Sequence, residues 1–152
     1  MLTSGDERQI VNLLFRYAEA VDEGRFADVS ALFGSATVFM GGPTRPSMPG
    51  SDVGSMMEGL VLLYDGVPNT KHVVTNAIIE SDADHTATSR SYFTVTQCVP
   101  GSFPLQIVAS GRYHDRFEEV DGIWRFLERI VHFDHRGDTS FHLRSGAAKG
   151  TS

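Results

Sequence analysis

The chain has 152 residues, of which 41% are hydrophobic and 21% charged, values that are ordinary for one soluble globular domain. Its formal net charge of −6 and its lack of a basic block argue against nucleic acid as a partner. No apolar run is long enough to cross a membrane, and the polar, acidic N-terminus has no signal-peptide pattern. We therefore expect a cytoplasmic protein, and the single cysteine, Cys98, is consistent with a reducing compartment.

The first predicted element is a long helix over about residues 5–23. It opens with Ser4-Gly5-Asp6-Glu7, which has the S-x-x-E form of a capping box, and Gly24 is a suitable residue to follow its end. At about 100° per residue, Tyr17 lies within the apolar stripe and Asp22 at its shoulder. We therefore expect a buried phenol ring and a carboxylate at the edge of the buried face.

Three short elements and a loop follow this helix. We predict a second helix over residues 26–33, a strand over 37–40 and a third helix over about 52–64. Residues 41–52 contain Gly-Gly, three prolines and a further glycine, so this stretch is predicted to be a long loop. Loops of that length often form the rim or lid of a site.

The rest of the chain is predicted to form a meander of four strands. Alternation and turn residues place them at about residues 71–80, 86–99, 105–120 and 123–135. The Asp-Gly pair at residues 121–122 is a strong hairpin signal between the last two.

Helices that precede an antiparallel meander favour an α+β domain, which we assign to residues 4–143. Residues 144–152 are small and polar and are predicted to be a disordered tail. A strongly curved sheet wrapped over helices would enclose a pocket of the kind that binds small molecules.

The strand that begins at Thr70 carries a possible reactive group. His72, Val74 and Asn76 alternate onto one face, which would place an imidazole and a carboxamide beside an apolar residue on the wall of a pocket. From this strand alone, a structural histidine is the better supported interpretation.

Other chemistries find less support in the sequence. His132, Asp134 and His135, with His142 nearby, suggest a metal site, but on a strand His132 and Asp134 would face away from His135. Cys98 has no adjacent base, and neither a nucleophile elbow nor a phosphate-binding glycine loop occurs. We therefore predict a site with neither metal nor cofactor. Asp22, His72 and Tyr17 remain as a possible acid–base set, although sequence spacing does not show that residues 22 and 72 meet.

The order of these residues resembles the SnoaL-like branch of the NTF2-like superfamily. The resemblance rests on Ile10-x-x-Leu13-x-x-x-Tyr17-x-x-x-x-Asp22-x-Gly24, Leu32-Phe33, Thr70-x-His72-x-x-x-Asn76 and Asp121-Gly122-Ile123-Trp124-Arg125-Phe126. It covers about residues 4–135. It implies a cone-shaped α+β barrel in which a curved antiparallel sheet and helices enclose a deep apolar pocket.

The resemblance also implies roles for individual residues. Scytalone dehydratase and the bile-acid 7α-dehydratases are relatives that eliminate water without a cofactor, and Asp22 and His72 match the Asp–His pair of both. The Tyr17-to-Asp22 spacing resembles the bile-acid enzymes. Ser91 lies where scytalone dehydratase has a second cavity histidine, and Met40 lies where it has a tyrosine.

This chain also differs from two of these relatives at further positions of the site. Gly111 and Tyr113 replace a Ser and Asn pair of scytalone dehydratase. Ketosteroid isomerase, another relative, has its basic Asp at the position of Phe39 or Met40, which argues against its proton-shuttle mechanism here.

The preferred hypothesis is a cofactor-independent dehydratase, lyase or isomerase that acts on a small, mostly apolar cyclic carbonyl compound. In it, His72 moves the proton, Asp22 orients His72, and Tyr17 polarises the carbonyl oxygen. The residues expected to contact substrate are Phe39, Met40, Asn76, Ser91 and Tyr113. This hypothesis fails if the Asp22 carboxylate and the His72 ring are more than about 6 Å apart.

The alternative hypothesis is a non-catalytic ligand-binding or association module, like the small subunit of ring-hydroxylating dioxygenases. It predicts a shallow pocket and a large apolar sheet surface covered by another chain. A homo-oligomer, with a dimer through the sheet face favoured, is compatible with either hypothesis.

Overall fold

The computed structural model describes residues 1–146 of the chain, so most of the predicted tail at 144–152 lies outside the described residues. The described elements, in chain order, are α1 (Ser4–Asp22), α2 (Phe26–Phe33), β1 (Thr37–Met40), β2 (Ser47–Pro49), a 3₁₀ turn (Gly50–Asp52), α3 (Val53–Leu60), β3 (Thr70–Ala83), β4 (Thr86–Val99), β5 (Phe103–Val120) and β6 (Ile123–Arg136).

The strands form one six-stranded sheet in the order β2-β1-β6-β5-β4-β3. Strands β3 to β6 are an antiparallel meander, and β1 joins β6 as the parallel pair. The predicted α+β class is confirmed. The sheet is curved but unclosed, so the helices and the segment that follows β6 complete the enclosure. Among the described residues, no helix is long and apolar enough to cross a membrane.

The start of α1 differs by one residue from the prediction. Its N-cap is Thr3 rather than Ser4: the Asp6 amide donates to the Thr3 hydroxyl at 3.2 Å, and the Thr3 amide donates to the Asp6 carboxylate at 2.7 Å. The capping box is therefore Thr-x-x-Asp. At the other end, Gly24 has φ +71°, and a Cβ there would lie 2.2 Å from the Gly66 carbonyl oxygen, so this turn requires glycine.

The predicted third helix is too long. Helix α3 ends at Leu60, and Val61 instead forms an isolated bridge with Leu143. The Leu62 amide donates to the His142 carbonyl at 2.9 Å. The apolar run at residues 60–63 predicts a continued helix, but pairing with a segment some eighty residues away overrides that local pattern. The predicted loop at 41–52 is also partly wrong, because β2 and the 3₁₀ turn lie within it.

Strand β3 contains a bulge that interrupts its alternation. The pairing with β4 runs without a break to Thr75 and resumes at Ile78, and Asn76 between them has φ +55°. His72 and Val74 keep the predicted alternation, whereas Asn76 does not. The bulge therefore separates Asn76 from the face that His72 occupies.

Candidate active site

His72 and Asp22 form a close pair at the junction of α1 and β3. The Nδ1 atom of His72 lies 2.6 Å from Oδ1 of Asp22, and the His72 amide donates to Oδ2 at 2.7 Å. The Thr70 hydroxyl donates to Oδ1 at 2.8 Å. The two side chains are only 9% and 7% exposed. Two residues from sequence positions 50 apart are thus held in contact and largely out of water.

The surroundings of Asp22 fix the orientation of the imidazole. A carboxylate only accepts hydrogen bonds, so a His72 ring in contact with it carries its proton on Nδ1. The other nitrogen, Nε2, is then free to accept a proton. Because the amide and the ring of His72 bind the same carboxylate, the backbone and the side chain are positioned together.

A cavity of about 180 Å³ lies beside this pair. Tyr17 and His72 both line it, as do Met40 and Tyr113. Its wall is mainly apolar and is completed by Val21, Met56, Met57, Leu60, Val61, Phe93, Val95, Ala109, Val131, Phe133, Arg136, Thr139, His142 and Leu143. The composition suits a compact ligand that is mostly apolar and carries a few polar groups.

Tyr17 stands at right angles to His72 in this cavity. The ring centroids are 6.4 Å apart and the interplanar angle is 83°. Burial raises the pKa of Tyr17, so its hydroxyl keeps its proton at neutral pH and is available as a hydrogen-bond donor. The structure therefore brings together the three residues predicted as an acid–base set.

A buried ion pair, Arg129 with Asp115, packs against the rings of Tyr17 and Tyr113. Arg129 donates to both oxygens of Asp115, at 2.7 and 2.8 Å, and both side chains are fully buried. Burial disfavours the charge on Arg129, but the Asp115 carboxylate outweighs this and raises the pKa of the guanidinium. The guanidinium carbon lies 4.5 Å from the Tyr17 ring centroid and 3.8 Å from that of Tyr113. These cation–π contacts fix both phenol rings.

Three of the predicted contact residues lie outside the cavity lining. Asn76 is exposed on the bulge of β3, where the break in alternation turns it away. Phe39 points to the face of β1 opposite Met40, as alternation on a strand requires. Ser91 is buried opposite Tyr113 in the sheet, but its side chain does not reach the cavity surface. None of these three side chains lines this cavity, and their contact with substrate stays a prediction.

Three polar residues of the cavity are missing from the predicted site: Arg136 at the end of β6, and Thr139 and His142 on the segment that follows it. The sequence pattern of this part of the chain indicates only a metal motif and the end of a strand. Burial, and next the neighbouring His72, lowers the pKa of His142 to about 4. His142 is therefore neutral at pH 7. A lone histidine in a short loop gives no periodic pattern, so the sequence offered no signal for its position.

Two residues of the suggested metal motif, Asp134 and His135, have other partners. Asp134 accepts hydrogen bonds from Arg112, and the His135 ring contacts the Ser110 hydroxyl at 3.2 Å. Across residues 1–146, no group of three or more His, Cys, Asp and Glu side chains is arranged to hold a metal ion.

Comparison with known proteins gives one family match. The model of the SnoaL-like domain matches residues 3–130. No curated protein sequence matches the chain.

Solved structures share the fold at low sequence identity. A provisionally named scytalone dehydratase from Novosphingobium aromaticivorans is 24% identical, with a TM-score of 0.68 over 88% of this chain and 87% of that one. An NTF2-like protein with a cystatin-like fold from the same organism is 17% identical, with a TM-score of 0.69 over 89% and 86%. The beta subunit of a provisionally named aromatic-ring-hydroxylating dioxygenase, also from that organism, is 16% identical, with a TM-score of 0.69 over 89% and 94%. These likenesses establish the fold.

Proposed function

The chain belongs to the SnoaL-like domain family, and from its cavity we propose a cofactor-independent acid–base enzyme, a dehydratase, lyase or isomerase of small cyclic carbonyl compounds. The observation that carries the proposal is the 2.6 Å contact between Asp22 and a His72 ring that lines an apolar cavity. A histidine oriented in this way at the wall of a cavity is suited to abstract a proton from a bound molecule.

The first step follows from the free nitrogen of His72. Nε2 removes a proton from the carbon next to the substrate carbonyl, and the electron pair of that C–H bond becomes the new C=C bond of an enolate. The imidazolium that results is stabilised by Asp22, which already accepts the Nδ1 proton. Little reorganisation is needed, since Thr70 and the His72 amide hold the carboxylate in place.

The second step returns the proton. Tyr17 donates a hydrogen bond to the enolate oxygen, where negative charge develops. In an elimination, the carbonyl re-forms, the C–O bond of a β-hydroxyl breaks, and His72 Nε2 delivers its proton to that oxygen, so that water leaves. In an isomerisation, the same proton returns to a different carbon. Both routes balance without an oxidant, a reductant or a metal.

The test is exchange of the α-protons of cyclic ketones in D₂O, followed by ¹H NMR. A panel of cyclohexanones, indanones and tetralones probes the proton transfer without knowledge of the natural substrate. We expect the wild-type protein to accelerate exchange of at least one member. We expect His72→Gln to lower that rate by about a hundredfold or more, the usual contribution of a positioned base.

The chain provides a matched control. His85 and Glu119 form a second His–carboxylate pair, at 2.8 Å, but the His85 side chain is 73% exposed and lies outside the cavity. His85→Gln should exchange at the wild-type rate, and Asp22→Asn should fall with His72→Gln. Exchange that persists at the wild-type rate in His72→Gln would overturn the proposal.

The second candidate is an association subunit, favoured by the outward face of β3 to β5. This face exposes large apolar side chains, among them Tyr92 at 52% and Ile107 at 60%. A surface of that kind marks an interaction site. This candidate predicts that no ketone of the panel exchanges faster than in buffer alone.

A further inference from the structure

One row of the sheet joins the proposed base to a free cation. His72 pairs with Val95, Val95 with Ala109, and Ala109 with Arg136, so these four residues follow one another across β3, β4, β5 and β6. All four line the same cavity. Three interstrand steps of about 4.8 Å place the ends of the row about 14 Å apart along the curved sheet.

Arg136 is the cationic end of this row. Its guanidinium carbon lies 5.6 Å from the centroid of the Phe133 ring, which is also part of the cavity wall. Within residues 1–146, no carboxylate lies within salt-bridge distance of Arg136. The two acidic residues that flank it on this segment bind elsewhere: Asp134 accepts from Arg112, and Asp138 accepts from the Ser140 amide at 2.9 Å.

The backbone fixes where this cation lies. The Gly137 amide donates to the Val108 carbonyl at 2.8 Å, which presses the chain against β5 directly after Arg136. A Cβ on Gly137 would lie 2.7 Å from the Ile107 carbonyl oxygen, so only glycine allows this approach. The residues that follow add only neutral polar groups to the cavity, from Thr139 and His142.

We propose that Arg136 binds a carboxylate of the substrate, so that the enzyme binds a cyclic keto acid in preference to a neutral ketone with the same ring. The apolar ring of the substrate lies over Val95 and Ala109, with its acidic group at Arg136 and its reactive carbon towards His72. A guanidinium pairs with a carboxylate through two parallel hydrogen bonds, which fixes the orientation as well as the charge. This substrate class rests on the proposed function.

The test compares 2-naphthoate with 2-naphthamide, which have the same shape and differ in charge. Isothermal titration or ligand-observed NMR gives the two dissociation constants. We expect the wild-type protein to bind naphthoate about tenfold more tightly, a modest factor because the guanidinium is exposed to water. Arg136→Met should bind both probes with the affinity of naphthamide, and Arg136→Lys should keep part of the preference.

Arg144→Met is the matched control, because it removes a cation from the segment that follows β6, at a position outside the cavity lining. It should keep the wild-type preference for naphthoate. Equal binding of the two probes by the wild-type protein, or a preference that survives in Arg136→Met, would overturn the inference.

The failure of the two proposals can be told apart, because probe binding needs no turnover. A naphthoate preference without any ketone exchange would leave Arg136 as an anion site and remove the enzymatic proposal. Ketone exchange without a naphthoate preference would support the enzymatic proposal and overturn the assignment of Arg136 as a carboxylate site.

Discussion

Asp22 shows how one residue organises the site. It is the last residue of α1, and its two oxygens accept from the Thr70 hydroxyl, the His72 amide and the His72 ring. A carboxylate at a helix C-terminus faces the negative end of the helix dipole, which is unfavourable. Three donors from β3 offset that cost and at the same time connect the first helix to the sheet. The same contacts therefore stabilise the fold and orient the proposed base.

His142 gives a prediction on stability and pH. Its pKa is lowered to about 4 in the folded protein, against 6.5 for an unperturbed histidine. Between those values the unfolded chain binds a proton that the folded protein does not, so stability falls as pH falls from about 6.5 to 4. The loss from this residue is at most about 3 kcal/mol, at 1.36 kcal/mol per pKa unit.

The measurement is urea unfolding at pH 7 and pH 4.5 for the wild-type protein and for His142→Phe. The variant removes the titrating group and should lose less stability on acidification. His85→Gln is a control with the opposite sign. The hydrogen bond to Glu119 raises the pKa of His85, so the contribution of His85 to stability grows as pH falls. His85→Gln should therefore lose more stability on acidification than the wild-type protein. Equal acid sensitivity of His142→Phe and wild type would contradict a buried, neutral His142.

At the scale of elements, the parts that could be predicted from sequence are those with local patterns. Helix α2 and strands β1 and β4 have the predicted bounds, because their periodicity and turn residues lie within each segment. The end of α3 could not be predicted, since it depends on pairing of Val61 with Leu143. The bulge at Asn76 could not be predicted either. An Asn inside a strand pattern does not by itself indicate whether its φ is positive.

The candidate site also contains residues that could be predicted from the sequence and residues that could not. The contact of Asp22 with His72 was expected only through family resemblance, because spacing in sequence carries no distance in space. Met40 and Tyr113 were likewise expected at the cavity only through that resemblance. Arg136 reaches the cavity from the last position of β6, and His142 reaches it from a loop that packs back over the sheet. The path of that loop is set by tertiary contacts rather than by local pattern.

The segment after β6 gives a prediction on packing. Gly137→Ala would place a methyl group against the backbone of Ile107 and push this segment off β5. We expect a loss of about 1–3 kcal/mol in unfolding free energy, the usual cost of overpacking. Because Arg136 and His142 would shift with it, naphthoate binding should also weaken.

Gly59→Ala is the matched control for that substitution. Gly59 lies in α3, and a Cβ there would meet nothing within 4 Å. The change should be neutral or should stabilise the protein by up to about 1 kcal/mol through helix propensity. If Gly137→Ala were as stable as Gly59→Ala and bound naphthoate normally, the close approach at Gly137 would not determine the position of the segment.

At the scale of the whole molecule, the two faces of the sheet have different surroundings. The inner face packs on the helices and the cavity. The outer face exposes apolar side chains on neighbouring strands, namely Val73, Ile78, Tyr92, Leu105 and Ile107. Isolated monomers seldom leave several large apolar residues together in water. We propose that a second copy of the chain covers this face and forms a homodimer.

Sedimentation equilibrium tests this proposal at micromolar concentration. We expect a dimer for the wild-type protein and a monomer for Ile107→Lys, because a buried unpaired charge in the interface costs more than the contact gains. Ile123→Lys is the control, since Ile123 is 65% exposed but lies beside the β5–β6 turn. Its partner Val120 is about 13 residues from Ile107, which is roughly 40 Å along β5. A wild-type monomer, or a dimer that survives in Ile107→Lys, would contradict this interface. Because the cavity is lined from the inner face, the monomeric variant should still bind naphthoate, which separates assembly from ligand binding.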